Sequence, residues 1–337
     1  MAVRVLIIDD SASARELVKE ILASDPEIEV VGVAPDAYVA RDKILSLNPD
    51  VLCLDVEMPH IDGITFLKKL MLYHPMPVVM VSSLTQRGAR TTLEALDAGA
   101  VDFVTKGEMM EQELPAKVKQ AAKVKVIPPL SAKKATFATP FISGQRIIAI
   151  GASTGGTTAL QYILESMPKT CPGIVIVQHM PKGFTKAFAD RLNSICEIHV
   201  KEAENGDVVE TGKALIAEGA HHLALRKKGR NYIVELGEGE KVSGHKPSVD
   251  VLFHSAAQCA KSNALGILLT GMGADGAKGM LKMHQAGAYT IAQSEDSCVV
   301  FGMPKVAISL GGVDEVVTLK LIPARTLAVI QEANKGR

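Results

Sequence analysis

This chain has few cysteines, no tryptophan and no long apolar run. The cysteine pattern and the lack of a long apolar run each exclude a class of protein. The 337 residues include five cysteines and no tryptophan, and aromatic residues make up 4%. The cysteines are widely spaced, odd in number and never form a CxxC pair, so neither a disulfide framework nor a zinc site is indicated. No apolar run is long enough to cross a bilayer, and acidic residues directly follow the short apolar segment at the N-terminus. We therefore expect a cytoplasmic protein without membrane insertion.

The formal net charge of the chain is zero, but acidic and basic residues are distributed unevenly along it. Residues 1–122 carry 12 Lys and Arg against 19 Asp and Glu, whereas residues 146–337 carry 21 against 18. Four basic residues of the second region are clustered: Arg226, Lys227, Lys228 and Arg230. This cluster supports a nucleic-acid-binding alternative, but a DNA-binding domain is usually strongly basic. We interpret the cluster as a solvated hairpin turn and expect no nucleic acid as a partner.

Two regions of alternating strand and helix patterns predict two α/β domains. In residues 1–122, five runs rich in Val, Ile and Leu alternate with five helical periodicities, which is typical of a (βα)5 parallel sheet covered on both faces. Residues 146–337 contain the further buried-strand patterns RIIAIGAS, GIVIVQH, ALGILLTGMG and AYTIAQS, and a hairpin pattern. They predict a doubly wound, mainly parallel α/β domain. Residues 123–145 hold three prolines, four lysines and no acid, which predicts a semi-extended linker.

Polar residues follow the predicted strands of the first domain. Asp9 and Asp10 end the first strand, Asp55 the third and Ser82 the fourth, and Lys106 follows the fifth. Each alone could be an ordinary cap or turn residue. However, the carboxyl ends of parallel strands converge on one crevice, and clustered carboxylate oxygens suit Mg²⁺. The pattern therefore predicts a magnesium site there.

This arrangement resembles the receiver domain of bacterial response regulators across residues 1–122. The positions that the resemblance assigns are Asp55 for phosphorylation, Asp9, Asp10 and Asp55 for Mg²⁺, and Ser82, Phe103 and Lys106 for the response to the phosphoryl group. It also implies a histidine kinase as a partner. Gly107 stands where receivers usually have proline, so a cis peptide bond after Lys106 is not assumed.

The stretch GASTGG at residues 151–156 follows a predicted strand of the second domain. Its small residues fit a nucleophile, Ser153, on a sharp strand-to-helix turn, and equally fit a phosphate-binding turn. His179 closes the run GIVIVQH and Asp275 follows LGILLTGMG, so both should lie at the same sheet edge as Ser153. A serine nucleophile needs a base and an orienting carboxylate, which favours a Ser-His-Asp triad over three separate caps and turns.

Other interpretations of these motifs have weaker support. The spacing GxxxGG is not the GxGxxG of dinucleotide-binding turns, and GASTG is not the GxSxG of α/β-hydrolases, whose chain order Ser, Asp, His also differs. The adjacent His221 and His222 lack the i, i+4 spacing of helical metal ligands, so we interpret them as ordinary loop residues.

Taken together, the receiver pattern and the motifs GASTGG, QHMP, LTGMGADG and HKPSVDVLF resemble the chemotaxis methylesterases over nearly the full chain. The resemblance implies the following roles: Ser153 as nucleophile, His179 as general base and acid, Asp275 as its orienting group, and the backbone N–H of Met272 as oxyanion donor. It implies hydrolysis of glutamyl methyl esters, deamidation of glutamines on chemoreceptors, no cofactor for hydrolysis, and an unmodified receiver that covers the catalytic cleft.

Overall fold

The structure, a computed structural model, describes residues 2–58, 62–83, 85–107, 110–124 and 146–335. The chain divides into two compact units, and the division falls within residues 125–145, outside the described part. The predicted linker at 123–145 therefore lies outside the described residues except for its first two. The predicted domain limits stay a prediction. In the parts of the chain just given, no helix is both long enough and apolar enough to cross a membrane.

The first unit has five parallel strands in the order β2-β1-β3-β4-β5. In chain order its elements are β1 (Val3–Ile8), α1 (Ala12–Ala23), β2 (Ile28–Ala34), α2 (Ala37–Leu47), β3 (Val51–Asp55), α3 (Gly63–Tyr73), β4 (Val78–Ser82), α4 (Gln86–Asp97), β5 (Asp102–Thr105) and α5 (Met110–Ala121). Leu6 of β1 is in register with Leu52 of β3, and Leu54 with Met80 of β4. Both β3 and β4 are buried along their whole length because helices cover both faces of the sheet.

Polar caps set where four helices of this unit begin. The side chains of Ser11, Asp36, Asp62 and Thr85 each accept a hydrogen bond from a backbone N–H in the first turn of α1, α2, α3 and α4, respectively. Each cap lies shortly after the carboxyl end of a strand. The polar residues that follow the strands thus serve either as caps or as members of the site described below.

The second unit has a seven-stranded sheet in the order β15-β14-β13-β6-β7-β10-β8, with all neighbours parallel, and a smaller antiparallel sheet β11-β12-β9. In chain order its elements are β6 (Ile147–Ala152), α6 (Gly156–Glu165), β7 (Gly173–Gln178), α7 (Phe184–Ile195), β8 (His199–Glu202), β9 (Val208–Val209), β10 (Lys213–Ile216), β11 (His222–Lys228), β12 (Asn231–Gly237), α8 (Val249–Cys259), β13 (Ala264–Leu268), α9 (Ala277–Gln285), β14 (Tyr289–Gln293), α10 (Met303–Ser309), β15 (Glu315–Val317) and α11 (Ile322–Lys335). Short 3₁₀ helices span Lys261–Asn263 and Glu295–Ser297. The predicted hairpin is confirmed, with Leu225 of β11 opposite Val234 of β12.

Helix α8 packs unusually close to the main sheet of this unit. A Cβ atom added at Gly151, near the end of β6, would lie 2.2 Å from Cγ1 of Val249, and one added at Gly276 would lie 2.6 Å from the same atom. Phe253 of the same helix is fully buried, and a Cβ atom added at Gly279 of α9 would lie 2.5 Å from its Cβ atom. Glycine at positions 151 and 276 therefore lets the first turn of α8 reach the carboxyl edge of the sheet, where the second candidate site lies.

Candidate functional site

The carboxyl edge of the first sheet brings together the predicted acidic residues and Lys106. Carboxylate oxygens of Asp9, Asp10 and Asp55 all lie within 4.8 Å of one another. The Lys106 Nζ atom lies 2.9 Å from Oδ2 of Asp9 and 3.0 Å from Oδ1 of Asp55. Three hard oxygen donors in this arrangement fit Mg²⁺, and the ammonium group offsets part of their negative charge. The peptide bond after Lys106 is trans.

Burial and ion pairing shift two pKa values in this cluster. Asp55 is buried, and desolvation raises the pKa of its carboxyl group despite the neighbouring Lys106. Burial by itself would lower the pKa of Lys106, but its bonds to Asp9 and Asp55 raise that pKa above the usual value. A charged lysine therefore stands beside a carboxylate that is costly to ionise, and such a carboxylate is stabilised further by a bound cation.

Ser82 lies on β4 and Phe103 on β5. The side-chain contacts given below for these two residues are with residues outside the acidic cluster. The Thr92 Oγ1 atom lies 2.6 Å from Oγ of Ser82 and 2.7 Å from the carbonyl oxygen of Gly88. The Phe103 ring is buried, with Nζ of Lys117 5.3 Å from its centroid. The structure thus brings together the acidic residues and Lys106, whereas the Ser82 hydroxyl is engaged with α4.

In the second unit, GASTGG forms a tight turn between β6 and α6. The backbone N–H of Ser153 donates to the Thr270 carbonyl at 3.0 Å. The Ser153 carbonyl accepts the N–H of Gly156 at 2.7 Å and Nε2 of Gln178 at 3.0 Å. Gly155, the N-cap of α6, has a φ of 76°, which favours glycine. The turn is therefore anchored to two neighbouring strands, and Ser153 lies at the sheet edge.

His179 directly follows β7 and is paired with Asp275. Its backbone N–H donates to the Ala152 carbonyl at 3.1 Å, and its ring Nε2 lies 2.8 Å from Oδ2 of Asp275. The Nδ1 atom is buried, and no described residue forms a hydrogen bond with it. Within the described part of the chain, Oγ of Ser153 forms no hydrogen bond with His179 either. With Nε2 donating to the carboxylate, Nδ1 is the nitrogen that can accept a proton.

Asp275 accepts four further hydrogen bonds, three of them from the start of α8. Its Oδ1 accepts from the Ser248 hydroxyl at 2.7 Å and from the backbone N–H groups of Asp250 and Gly276 at 3.0 Å each. Its Oδ2 accepts from the backbone N–H of Val249 at 2.7 Å. The N-terminal N–H groups of a helix favour a negative charge. Helix α8 therefore supplies most of the groups that hold this carboxylate.

These bonds determine the charge state of Asp275. The carboxyl group is 1% exposed, and burial alone would raise its pKa. The bonds from His179, from the Ser248 hydroxyl and from the Asp250 N–H outweigh burial, so the pKa lies below its ordinary value. Asp275 is consequently a carboxylate at neutral pH and keeps the ring of His179 oriented.

Met272 lies in the loop after β13, directly after Gly271, which packs against Ser153. A Cβ atom added at Gly271 would lie 2.7 Å from Cβ of Ser153, so this glycine permits the close approach of the loop. The Gly271 carbonyl accepts the N–H groups of Gly302 at 3.1 Å and Met303 at 2.9 Å. Across the described ranges, the Met272 N–H has no hydrogen-bond acceptor. An N–H group in that state can serve as an oxyanion donor.

Two residues that support Asp275 were not identified from sequence. His222 begins β11 and is buried, and its Nδ1 accepts the N–H of Ser248 at 3.2 Å while Nε2 donates to the Glu240 carbonyl at 2.9 Å. The interpretation of His222 as an ordinary loop residue is therefore wrong. Ser248 is the N-cap of α8, yet its hydroxyl binds Asp275 rather than its own helix. Serine before an apolar helical pattern could have indicated the cap, but not its partner.

The basic cluster contributes to surface pairing, and burial raises the pKa values of the cysteine thiols. Arg226 of the basic cluster pairs with Glu235 across the β11–β12 hairpin. All five cysteines are free thiols, and burial raises the pKa of Cys53, Cys171 and Cys298 to about 12. A thiol with so high a pKa is a poor nucleophile at neutral pH. Burial therefore disfavours these three cysteines as nucleophiles.

Two family profiles match this chain, one in each unit. The profile of the response regulator receiver domain matches residues 5–119, and the profile described as CheB methylesterase matches residues 148–326, more than half of the chain. This chain belongs to the CheB methylesterase family. A receiver domain implies phosphorylation, typically dependent on Mg²⁺, and a histidine kinase as a partner. The predicted (βα)5 and parallel α/β fold classes are confirmed.

Two named relatives resemble this CheB-family chain along nearly its whole length, and one solved structure resembles a little more than half of it. A protein-glutamate methylesterase/protein-glutamine glutaminase of Sulfurimonas denitrificans is 54% identical, over 98% of this chain and 99% of its own. One of the same name from Pectobacterium atrosepticum is 55% identical, over 97% of each chain. The crystal structure of the Thermotoga maritima CheB methylesterase catalytic domain matches with a TM-score of 0.54 at 41% identity, covering 56% of this chain and all of that one. The prediction of an ester hydrolase with methylesterase and glutaminase activity is confirmed.

Proposed function

We propose that this CheB-family chain hydrolyses glutamyl methyl esters on the cytoplasmic part of methyl-accepting chemoreceptors, deamidates receptor glutamines, and thereby serves sensory adaptation in chemotaxis. The names of its relatives support the substrate class. One observation carries the catalytic assignment. His179 is bound to Asp275 through Nε2, and its buried Nδ1 lacks a partner among the described residues, at the sheet edge that also carries Ser153.

In the first half of the proposed reaction, Oγ of Ser153 attacks the ester carbonyl carbon and its proton passes to Nδ1 of His179. No hydrogen bond joins Oγ of Ser153 to His179 among the described residues, so the two groups must come closer in the substrate complex, a change common between free and substrate-bound enzymes. The backbone N–H of Met272 donates to the developing oxyanion. When the C–O bond breaks, the His179 proton goes to the methoxy oxygen, and methanol leaves an acyl-enzyme on Ser153.

In the second half, water attacks the acyl carbon and gives its proton to Nδ1 of His179. The intermediate then collapses, Oγ of Ser153 takes the proton back, and the glutamate carboxyl group is released. For a glutamine substrate the leaving group of the first half is ammonia, and the same acyl-enzyme follows. Base catalysis contributes about 10² to 10⁴ in rate, and an oxyanion donor on the order of 10² to 10³. Asp275 remains ionised throughout, as its lowered pKa requires.

In the receiver, Asp55 accepts the phosphoryl group from the phosphorylated histidine of a histidine kinase and Lys106 pairs with it, while Asp9, Asp10 and Asp55 would hold Mg²⁺. The bound ion would offset the charge of the carboxylates and the phosphoryl oxygens. Ser82 turns toward the phosphoryl group by exchanging its bond with Thr92, and Phe103 responds as the switch aromatic. We assign residues 1–122 to the receiver, 123–145 to the linker and 146–337 to the catalytic domain.

Release of labelled methanol from methylated receptors tests the catalytic part of this function. We expect Ser153→Ala to abolish release while its far-UV circular dichroism stays that of the wild type. Ser194→Ala, a change in an exposed serine of α7, is the matched control and should keep full activity. Full activity in Ser153→Ala would rule out the serine mechanism.

The same assay tests regulation when a small phosphodonor and Mg²⁺ are added. Release by the wild type should rise, and release by Asp55→Asn should not respond. Equal rates with and without phosphodonor in the wild type would reject phosphorylation control without affecting the assignment of Ser153.

A further inference from the structure

A second histidine covers one face of the His179 ring. The ring centroids of His179 and His245 lie 3.8 Å apart, and the ring planes are within 13° of parallel. In the plane of the ring, Nε2 of His179 is 2.8 Å from Oδ2 of Asp275. The base is therefore contacted at one edge by a carboxylate and on one face by an aromatic ring.

A two-residue turn carries His245 to this position. Val242 and His245 exchange both of their backbone hydrogen bonds, each at 3.0 Å. Between them, Ser243 has a φ of 53° and Gly244 a φ of 82°, the left-handed pair that a type I′ turn requires. The Ser243 hydroxyl donates to Oδ2 of Asp250 at 2.9 Å. The turn is thus tied to the first turn of α8.

The residue that holds this turn is itself firmly placed. Asp250 is 2% exposed, and its Oδ1 accepts the backbone N–H of Gly279 at 2.7 Å. The backbone N–H of Asp250 donates to Oδ1 of Asp275 at 3.0 Å. The first turn of α8 therefore holds the ring of His179 from two directions, through Asp275 at the edge and through the 242–245 turn at the face.

We propose that His245 is a positioning residue that fixes the ring plane of His179. A hydrogen bond from Nε2 to a carboxylate oxygen holds one point of the ring but permits rotation about that bond. A parallel ring in contact with one face opposes the rotation, because tilting separates the two surfaces. Nδ1 then keeps a single direction toward the nucleophile, and small errors in such alignment reduce rates strongly. This inference rests on the proposed role of His179 as base.

Three substitutions separate ring stacking from other roles of His245. His245→Ala removes the stacked surface, His245→Leu restores bulk without a flat ring, and His245→Phe restores the ring without nitrogen atoms. His199→Ala, in the exposed part of the edge strand β8, is the matched control. Each is made in the full chain and assayed with phosphodonor and Mg²⁺ for kcat and KM of methanol release. The rate of Ser153 inactivation by a fluorophosphonate is measured in parallel.

We expect His245→Ala and His245→Leu to lower kcat about tenfold, with KM within about twofold of the wild type, since stacking affects alignment and not substrate contact. His245→Phe should return kcat to within about threefold of the wild type, and inactivation rates should follow kcat. A role in folding alone would change stability and leave kcat intact. The inference fails if His245→Ala keeps wild-type kcat, or if His245→Phe is as slow as His245→Ala. If His245→Ala does not fold, the kcat of His245→Phe is compared with that of His245→Leu. A higher kcat for His245→Phe supports the inference, and equal kcat values reject it.

Ser153→Ala and His179→Ala are assayed beside these variants to separate this inference from the proposed function. If either keeps methanol release, the triad itself is rejected. If both are inactive while His245→Ala is fully active, only the positioning role of His245 is rejected.

Discussion

Asp55 and Asp275 are buried carboxylates at the carboxyl edges of two parallel sheets, yet their pKa values are shifted in opposite directions. Desolvation raises the pKa of Asp55, whose partners are the Val56 N–H at 2.9 Å and Lys106. Asp275 has four donors besides His179, and its pKa is lowered. Asp55, the carboxylate proposed to react, thus accepts few hydrogen bonds. Asp275, the carboxylate proposed to orient another side chain, accepts hydrogen bonds at both of its oxygen atoms.

Of the substitutions considered for these two carboxylates, Asp275→Asn should have the largest effect on kcat and on stability. Both carboxylate oxygens only accept hydrogen bonds, so the amide must direct its NH₂ group at an N–H of α8 or at the ring of His179. We expect kcat for methanol release to fall on the order of 10³-fold. The free energy of unfolding of the second unit should fall by about 2 kcal/mol or more, as measured by urea denaturation.

A conservative change in an exposed aspartate is the control for this substitution. Asp190→Asn, on the surface of α7, should leave kcat and the unfolding free energy unchanged within about 0.5 kcal/mol. Wild-type kcat in Asp275→Asn would mean that the carboxylate does not orient His179.

Ser248→Ala removes one of the donors to Asp275 and should have the next largest effect. We expect a loss of about 1 kcal/mol in unfolding free energy and a fall in kcat of about threefold to tenfold. Ser255→Ala is matched to it, because that serine lies on the same helix and accepts from the Leu225 N–H instead. It should reduce stability similarly without reducing kcat. Equal effects of both variants on kcat would show that α8 acts only through its stability.

Asp55→Asn should have a small effect of the opposite sign on stability. The raised pKa means that the charged form is disfavoured in the folded state, and asparagine removes the charge while keeping an acceptor for the Val56 N–H. We expect unfolding free energy at pH 7 in magnesium-free buffer to stay equal or to rise by up to about 1 kcal/mol. Asp62→Asn, at the exposed N-cap of α3, serves as control. A marked loss of stability in Asp55→Asn would contradict the raised pKa.

The opposite pKa shifts of Asp275 and Asp55 should also appear in the pH dependence of stability. This is the smallest of the expected effects. The lowered pKa of Asp275 means that its contribution is present above its ordinary pKa of 3.8 and is lost as the pH falls through the folded value. The raised pKa of Asp55 means that stability falls as the pH rises from 3.8 through the folded value and stays level above it.

Urea denaturation from about pH 3 to about pH 6 measures both trends. The wild-type stability minus that of Asp275→Asn should increase with pH, and the wild-type stability minus that of Asp55→Asn should decrease. Each change should be on the order of 1 kcal/mol. Parallel slopes for the two differences would remove the electrostatic distinction between the sites.

Much of both sites could be predicted because parallel strands end at one edge. An apolar run followed by a polar residue was enough to predict that Asp9 would lie near Asp55, and His179 near Asp275. The long strands of both sheets were predicted for the same reason. The strands β8, β9, β10 and β15 have two to four residues each and were not predicted, because so short a segment gives a weak signal. The equally short β5 was predicted within the regular alternation of strand and helix patterns in the first domain.

The residues around the proposed triad could not be predicted in this way. Ser248 and His245 reach the site because the segment before α8 folds back over it, and no periodicity specifies where such a segment returns. The contact of His245 with His179 depends on a turn with two left-handed residues, of which one is Ser243 rather than glycine. The serine adopts that conformation with its hydroxyl bound to Asp250, a partner outside the turn.

The close packing of Val249 against two glycines limits how this enzyme can be altered by mutation. The same methyl group faces Gly151, the first residue of the GASTGG motif, and Gly276, next to Asp275. Alanine at either glycine collides with Val249, whereas a smaller residue at 249 opens space beside both motifs at once. A library that varies one of the three positions alone would therefore sample mostly inactive variants. Varying all three together would allow compensating pairs, so this packing couples motifs that lie more than a hundred residues apart in the chain.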